Sequence, residues 1–185
     1  MYPVELHGDR IHLREVDPTD APAAMAWAAD PEYFRYSAWD AVGTQAEEQL
    51  FLRIAHADAR SRPRRQYSLG IVWEASGELI GMARIGISEP AHRGGDIGYG
   101  LRRDRWGSGI ATEAARLVVD FGFDRLGLHR IFAYHHPDNV ASGRVLQKLG
   151  MQREGVLREN QFAHGRWRDS VVYAVLEHEW AAAGN

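Results

Sequence analysis

The stretch Trp106-Gly107-Ser108-Gly109-Ile110-Ala111 lies between a strand pattern and a helix pattern, and its chemistry is that of an anion cradle. Two glycines in three positions let the backbone turn sharply with its amides pointing inward. The first turn of the following helix adds unpaired N–H groups and the positive end of the helix dipole. Such a turn holds phosphate or pyrophosphate, and it needs small residues because the ligand approaches the backbone itself. A P-loop would need Gly-Lys-Ser/Thr after the turn, where this chain has Ile110-Ala111. A dinucleotide fingerprint would need a third glycine near Thr112. Gly-x-Gly is also an ordinary way to start a helix, so the turn alone leaves both readings open.

Other reactive types are soon narrowed. Cysteine is absent, which removes disulfides, thiolate zinc sites and a covalent thiol mechanism. There are nine histidines, but His135 and His136 are adjacent and face opposite ways on a strand. No His-Glu-x-x-His occurs, and Glu177-His178-Glu179 lacks ligand spacing, so no metal is expected. Tyr33, Tyr36, Trp39 and Phe162, with Phe34 and Trp167, are either packing residues or the aromatic walls of a substrate pocket for an apolar or cationic group. The basic run from Ala59 to Arg65 reads as a solvated connector.

The elements that must carry these residues can be read from periodicity. Arg10 to Val16 alternates as an opening strand. Asp17-Pro-Thr-Asp20 caps a short helix over Ala21 to Ala29, which Asp30-Pro31 ends. Thr44 and Glu47 form a capping box for a second helix, with Leu50, Ile54 and Ala57 on one apolar stripe and Phe51 beside it. Tyr67 to Trp73 and Leu79 to Ile87 make a hairpin, and Asp96 to Leu101 is a fourth strand. The helix after the glycine turn buries Ala111, Ala114, Ala115, Val118, Phe121 and Gly122, with Gly127 as its cap. A strand over Arg130 to His136 follows, then a helix from Asn139 to about Leu149. A final hairpin runs from Met151 to Phe162 and from Trp167 to Leu176, turning at His164-Gly165. Hairpins require antiparallel pairing and the crossover helix between the fourth and fifth strands requires parallel pairing. An α/β fold with a mixed, mostly antiparallel seven-stranded sheet and helices on both faces is expected.

Length and charge set the frame. The 185 residues fit one domain over 1–185. The formal charge of -3 argues against a nucleic-acid partner. No apolar run approaches the ~20 residues of a membrane span, and the N-terminus lacks a signal peptide, so no membrane partner and a cytoplasmic location are expected.

Three motifs together resemble the GNAT superfamily of N-acetyltransferases, and within it the ribosomal-protein-alanine acetyltransferase-like group. They are Ile97-Gly98-Tyr99, Trp106-Gly-Ser-Gly-Ile-Ala-Thr-Glu-Ala114, and Asn139-Val-Ala-Ser-Gly-Arg-Val-Leu-Gln-Lys-Leu-Gly-Met151. Their order and spacing agree from Arg10 to about Trp180. The resemblance implies a GNAT fold with the sheet split between strands four and five, and acetyl-CoA as co-substrate. It places the pyrophosphate on the turn from Trp106 through Gly107, Ser108, Gly109, Ile110 and Ala111 to Thr112. Trp106 stands where relatives carry Gln or Arg. The pantetheine arm would pair with strand four near Tyr99 to Arg103, Leu101 included, and Asn139 would bond it. Lys148, Arg144, Arg103 or Arg105 would meet the 3′-phosphate.

Acetyl transfer to an amine requires a neutral nucleophile, an oxyanion donor and a proton for the leaving thiolate. An amine with a pKa near 10 is only about 0.1% free at pH 7, so a base must act. With no cysteine, direct attack in a ternary complex is the simplest scheme. Backbone N–H groups of Tyr99 to Leu101 are placed for the oxyanion. The position where many relatives carry an acidic tyrosine is Leu146. Ser142 resembles the serine that bonds the thiol sulfur in the ribosomal-protein group, with Tyr99 and Tyr134 as reserves. Asp96, where relatives often carry Glu, is the expected base. Glu159 lies near the level where one ribosomal acetyltransferase pattern has a carboxylate, although the matching position is Gln161; Asp169 and Glu113 are read as structural. The acceptor is a protein N-terminal amine or a small amine, and a homodimer face is expected at Glu177 to Trp180. A CoA-binding module without turnover is the competing reading.

Overall fold

The computed structural model describes residues 1–184 and arranges eight strands into one sheet. The strands are β1 (Glu5–His7), β2 (Ile11–Glu15), β3 (Gln66–Trp73), β4 (Glu78–Glu89), β5 (Gly94–Leu101), β6 (Arg130–His135), β7 (Gln152–Ala163) and β8 (Arg166–Leu176). Their spatial order is β1-β2-β3-β4-β5-β6-β8-β7. All neighbours are antiparallel except β5 and β6, which are parallel. The expected count of seven is corrected to eight. The added strand, β1, pairs its three residues with Arg14, Leu13 and His12, and is too short to show a period of two.

The helices are α1 (Ala21–Ala28), α2 (Pro31–Phe34), α3 (Gln45–Asp58), α4 (Ile110–Asp124), α5 (Val140–Lys148) and α6 (Glu177–Ala182). α4 is the parallel crossover. It buries Ile110, Ala114, Ala115, Val118, Val119, Phe121 and Gly122 against the central strands. Each of its larger apolar side chains contributes roughly 1.5–3 kcal/mol. Gly122 is required by crowding, because a Cβ there would lie 2.6 Å from Ile131 and Ile85. Gly127 ends the helix at φ +64°, and the Leu128 amide returns to the Gly122 carbonyl.

A second core lies on the opposite face, where α1 and α3 cover Val16, Val72 and Leu79. The Thr44–Glu47 capping box forms as expected. The expected stripe of α3 does not. Leu50, Phe51 and Ile54 are exposed, and the buried positions are Glu48, Leu52 and Ala55. The small residues of α1 let that face approach closely, and the larger apolar side chains are left outside. No described helix is long and apolar enough to cross a membrane.

Candidate active site in the split sheet

β5 and β6 pair over only three positions, Gly94 with Arg130, Gly95 with Ile131 and Asp96 with Phe132. Beyond Asp96 the strands part, and a wedge opens along the rest of β5. The Arg102 amide donates to Ile80 of β4 at 2.8 Å, which fixes the alternation. Even-numbered residues of β5 therefore direct their backbone toward β4, Ile97 directs its own toward β6, where its amide closes the last β5–β6 pair, and Tyr99 and Leu101 direct theirs into the wedge. The Leu101 carbonyl is already taken by the Trp106 indole N–H at 2.7 Å. Trp106 thus caps the wedge with its side chain.

The glycine turn closes one end of the wedge. Gly107 and Gly109 have φ of +71° and +82°, a conformation costly for other residues. The amides of Gly107, Ser108, Gly109, Ile110 and Ala111 have no acceptor among the described residues. The Thr112 amide differs, because it donates to the Gly109 carbonyl at 3.1 Å. The Thr112 amide is therefore already engaged within the first turn of α4. The Ser108 hydroxyl donates to the Arg105 carbonyl at 2.5 Å. Arg10 braces the turn, donating to the Ser108 carbonyl at 2.9 Å and bridging Glu113 at 2.8 Å. Sequence reading missed Arg10, since nothing local links it to a turn nearly a hundred residues away. Glu113 is structural, as read.

The basic candidates separate by partner. Arg103 forms a bidentate pair with Asp30 at 2.5 and 3.0 Å. Arg105 lies 3.4 Å from Glu78. Arg144 and Lys148 are exposed on α5 and have no ion pair among the described residues.

At the mouth of α5, Asn139 accepts the Ser142 amide at 3.1 Å and caps the helix. This fixes the Asn139 carbonyl oxygen and leaves its Nδ2 free. The Tyr99 hydroxyl lies 3.2 Å from both the Ser142 hydroxyl and the Ser142 carbonyl. Burial pushes the Tyr99 phenol up to about 12, against the opposing effect of Ser142. Asp96 sits at the apex of the wedge with one oxygen 2.5 Å from Arg84. Tyr134, exposed on β6, has its phenol raised by burial first and then by Asp96 and Glu89.

The face of the sheet opposite α4 and α5 carries the aromatic residues. Tyr33 lies over Gly100, where a Cβ would collide with its hydroxyl. Burial, and then Glu48, raise the Tyr33 phenol above its ordinary value. Glu48 is itself a buried carboxyl raised by desolvation. Tyr36 stacks on His136 at 5.4 Å. Trp39 is 75% exposed and makes no ring contact among the described residues. Phe162, 60% exposed, packs on Trp167 at 5.2 Å. Of the four aromatic candidates, Tyr33 and Tyr36 are held by close contacts, and Trp39 and Phe162 stand largely exposed. Glu159 and Asp169 belong to the hairpin, the Glu159 amide donating to Asp169 at 2.8 Å. His164 staples that hairpin to the segment after α2 through Ser37 at 3.0 Å and Asp40 at 2.7 Å.

This geometry fits a long thioester with a pyrophosphate at one end. It offers five free amides for the anion, an open strand edge for an extended amide-bearing arm, and hydroxyls where that arm ends. The comparisons agree. An acetyltransferase (GNAT) domain model matches residues 10–152. The N-acetyltransferase YoaA of Bacillus subtilis is 35% identical over 96% of this chain and 98% of its own. A ribosomal-protein-alanine N-acetyltransferase of Escherichia coli is 24% identical over 96% of this chain and 93% of its own. RimJ of Mycobacterium smegmatis, solved in complex with CoA-disulfide, superposes with a TM-score of 0.84 at 27% identity, covering 100% of this chain and 98% of that one. The chain belongs to the GNAT family and is an acetyl-CoA-dependent N-acetyltransferase.

Proposed function

We propose that the protein transfers acetyl from acetyl-CoA to a primary amine by direct attack in a ternary complex, the amine being that of a small molecule or of a protein N-terminus. The observation that carries this reading is the wedge. It runs from the free amides of Gly107–Ala111, along Tyr99 and Leu101, to the Tyr99–Ser142 hydroxyl pair.

In this reading the Gly107–Ala111 amides bind the pyrophosphate. Arg144 and Lys148, being unpaired, meet the 3′-phosphate, and Arg103 stays with Asp30. Asn139 Nδ2 and the wedge-facing groups of Tyr99 and Leu101 hold the pantetheine and the carbonyl oxygen. The Tyr99 amide, beside Ser142, stabilises the oxyanion, and the Leu101 amide is left for the pantetheine arm. Ser142 donates to the departing sulfur, oriented by Tyr99. Asp96 uses the oxygen not held by Arg84 to take the amine proton, directly or through water. The ribosomal-protein relative supports an N-terminal amine as one acceptor class.

The test mixes purified protein with acetyl-CoA and a panel of amines, peptides, polyamines and amino acids, and follows free thiol. Amine-dependent thiol from one class is expected. Absence of any such release, with CoA binding confirmed by calorimetry, would replace this reading with a CoA-binding module.

A further inference from the structure

Arg168 of β8 is 8% exposed, yet no carboxylate lies within ion-pair distance of it among the described residues. Its Nε is buried without an acceptor, and among the described residues its one hydrogen bond is from Nη1 to the Arg35 carbonyl at 3.3 Å. The contrast with the other enclosed arginines is plain. Arg64 is held by Glu15, Arg14 by Asp20, Arg102 by Asp104 and Glu78, and Arg130 by Glu154. Removing a guanidinium from water without a counter-charge is costly, and the cost is recovered when the counter-charge arrives with a ligand.

A second unpartnered donor lies beside it. His136 accepts the Asp138 amide at Nδ1, at 3.2 Å, so the neutral ring carries its proton on Nε2. That nitrogen has no acceptor in the protein among the described residues. Burial foremost, with Arg168 and Arg166, holds the imidazole below its usual range, while Asp138 and Asp169 oppose this. Asp169 is already engaged by the Glu159 amide, and Asp138 is exposed. His136 stacks on Tyr36 and Arg168 reaches Arg35, so both donors face the segment that follows α2. His136 follows β6 directly, at the rim of the wedge, and Arg168 lies a short way along the neighbouring strand.

We propose that Arg168 and His136 form a carboxylate-binding subsite for the acetyl acceptor, which is therefore an amino acid whose carboxylate lies a few bonds from its amine. The inference rests on the transfer reading above. An amine entering the wedge from this face leaves the rest of its molecule against Tyr36, His136 and Arg168. A buried charged fork selects a carboxylate over the neutral amide, because the amide leaves the charge unpaired. A polyamine would bring a second positive charge to Arg168.

The experiment compares L-amino acids with their C-terminal amides, in wild type, Arg168→Gln and His136→Gln. Expected is a kcat/KM ratio of acid to amide on the order of 100-fold in wild type, falling toward unity in Arg168→Gln, chiefly through a raised KM of the acid. Calorimetric binding of the same pairs to the CoA-loaded protein supplies a readout without turnover. Carboxylate binding that depends on Arg168, with no turnover, would keep the subsite and overturn the transfer reading. Transfer to amides, peptides or polyamines as fast as to amino acids would keep the transfer reading and overturn the subsite. Thermal melting of Arg168→Met separates a merely structural role. The subsite predicts an unchanged or higher Tm, and a fall of several degrees together with no carboxylate binding would overturn it.

Discussion

A double-mutant cycle on Ser142 and Tyr99 tests the proposed order in which protons reach the sulfur. The two hydroxyls are 3.2 Å apart, longer than the ~2.7–2.8 Å of a strong O–H···O bond, and neither is ionised. If Ser142 alone touches the sulfur, its removal costs a hydrogen bond to a developing charge, about 1.5–3 kcal/mol. At ~1.4 kcal/mol per decade this slows transfer roughly 10- to 150-fold in Ser142→Ala. Tyr99→Phe removes only a long neutral bond that orients Ser142. Its cost is about 0.5–1 kcal/mol, or roughly 2- to 5-fold. With Ser142 gone, Tyr99 has nothing left to orient, so the double variant matches Ser142→Ala within about twofold. Because the Tyr99 phenol is pushed up to about 12, it stays protonated across any working pH, and the wild-type rate shows no alkaline limb from it. The assay is single-turnover thiol release at saturating amine, which isolates the chemical step. A double variant whose loss is the product of the two singles, or a Tyr99→Phe loss equal to that of Ser142→Ala, would refute the chain and make Tyr99 an independent donor.

Gly107→Ala keeps open space around the new methyl but forces alanine to φ +71°. A strain of about 1–2 kcal/mol, partly relieved by turning amides away from the phosphate, is expected to weaken CoA binding about 10-fold or more by calorimetry. Glu15→Gln breaks the buried bidentate pair with Arg64 at 2.7 and 2.9 Å, and is expected to cost about 3–5 kcal/mol, lowering Tm by roughly 6–20 °C. Because desolvation raises the Glu48 carboxyl, the native state holds its proton more tightly than the unfolded chain. That stabilisation is present at low pH and is lost as pH rises through the raised folded value. Urea midpoints of Glu48→Gln should therefore exceed wild type at neutral pH and lose the wild-type slope just above the ordinary carboxylate range; an unchanged slope would remove Glu48 as its source.

Much of the fold was legible because its signals are local. The capping box at Thr44, the φ-positive Gly127 stop and the His164-Gly165 turn are written in adjacent residues and appear as read. The face of α3 was misread because periodicity shows which residues are apolar, and the packing of α1 decides which face fits. The cradle was visible in its glycines, but the spending of the Thr112 amide on Gly109 was not, since a tight first turn depends on backbone angles. Arg10, Arg84 and Arg168 were invisible for a different reason. Each matters through a partner, or the lack of one, brought from far along the chain.

The parting of β5 from β6 makes β5 a strand that is central by position and an edge by hydrogen bonding. In the free protein its backbone protons fall into two classes along a single strand. Those of Gly98 and Gly100 are locked to β4 and protected from solvent exchange, while those of Tyr99 and Leu101 are open. An open edge invites pairing with a foreign strand. Here it is recessed, narrowed to closure at Asp96, and its Leu101 carbonyl is taken by the Trp106 indole. The edge left unpaired is therefore short and flanked on both sides by the sheet, a poor template for a foreign strand.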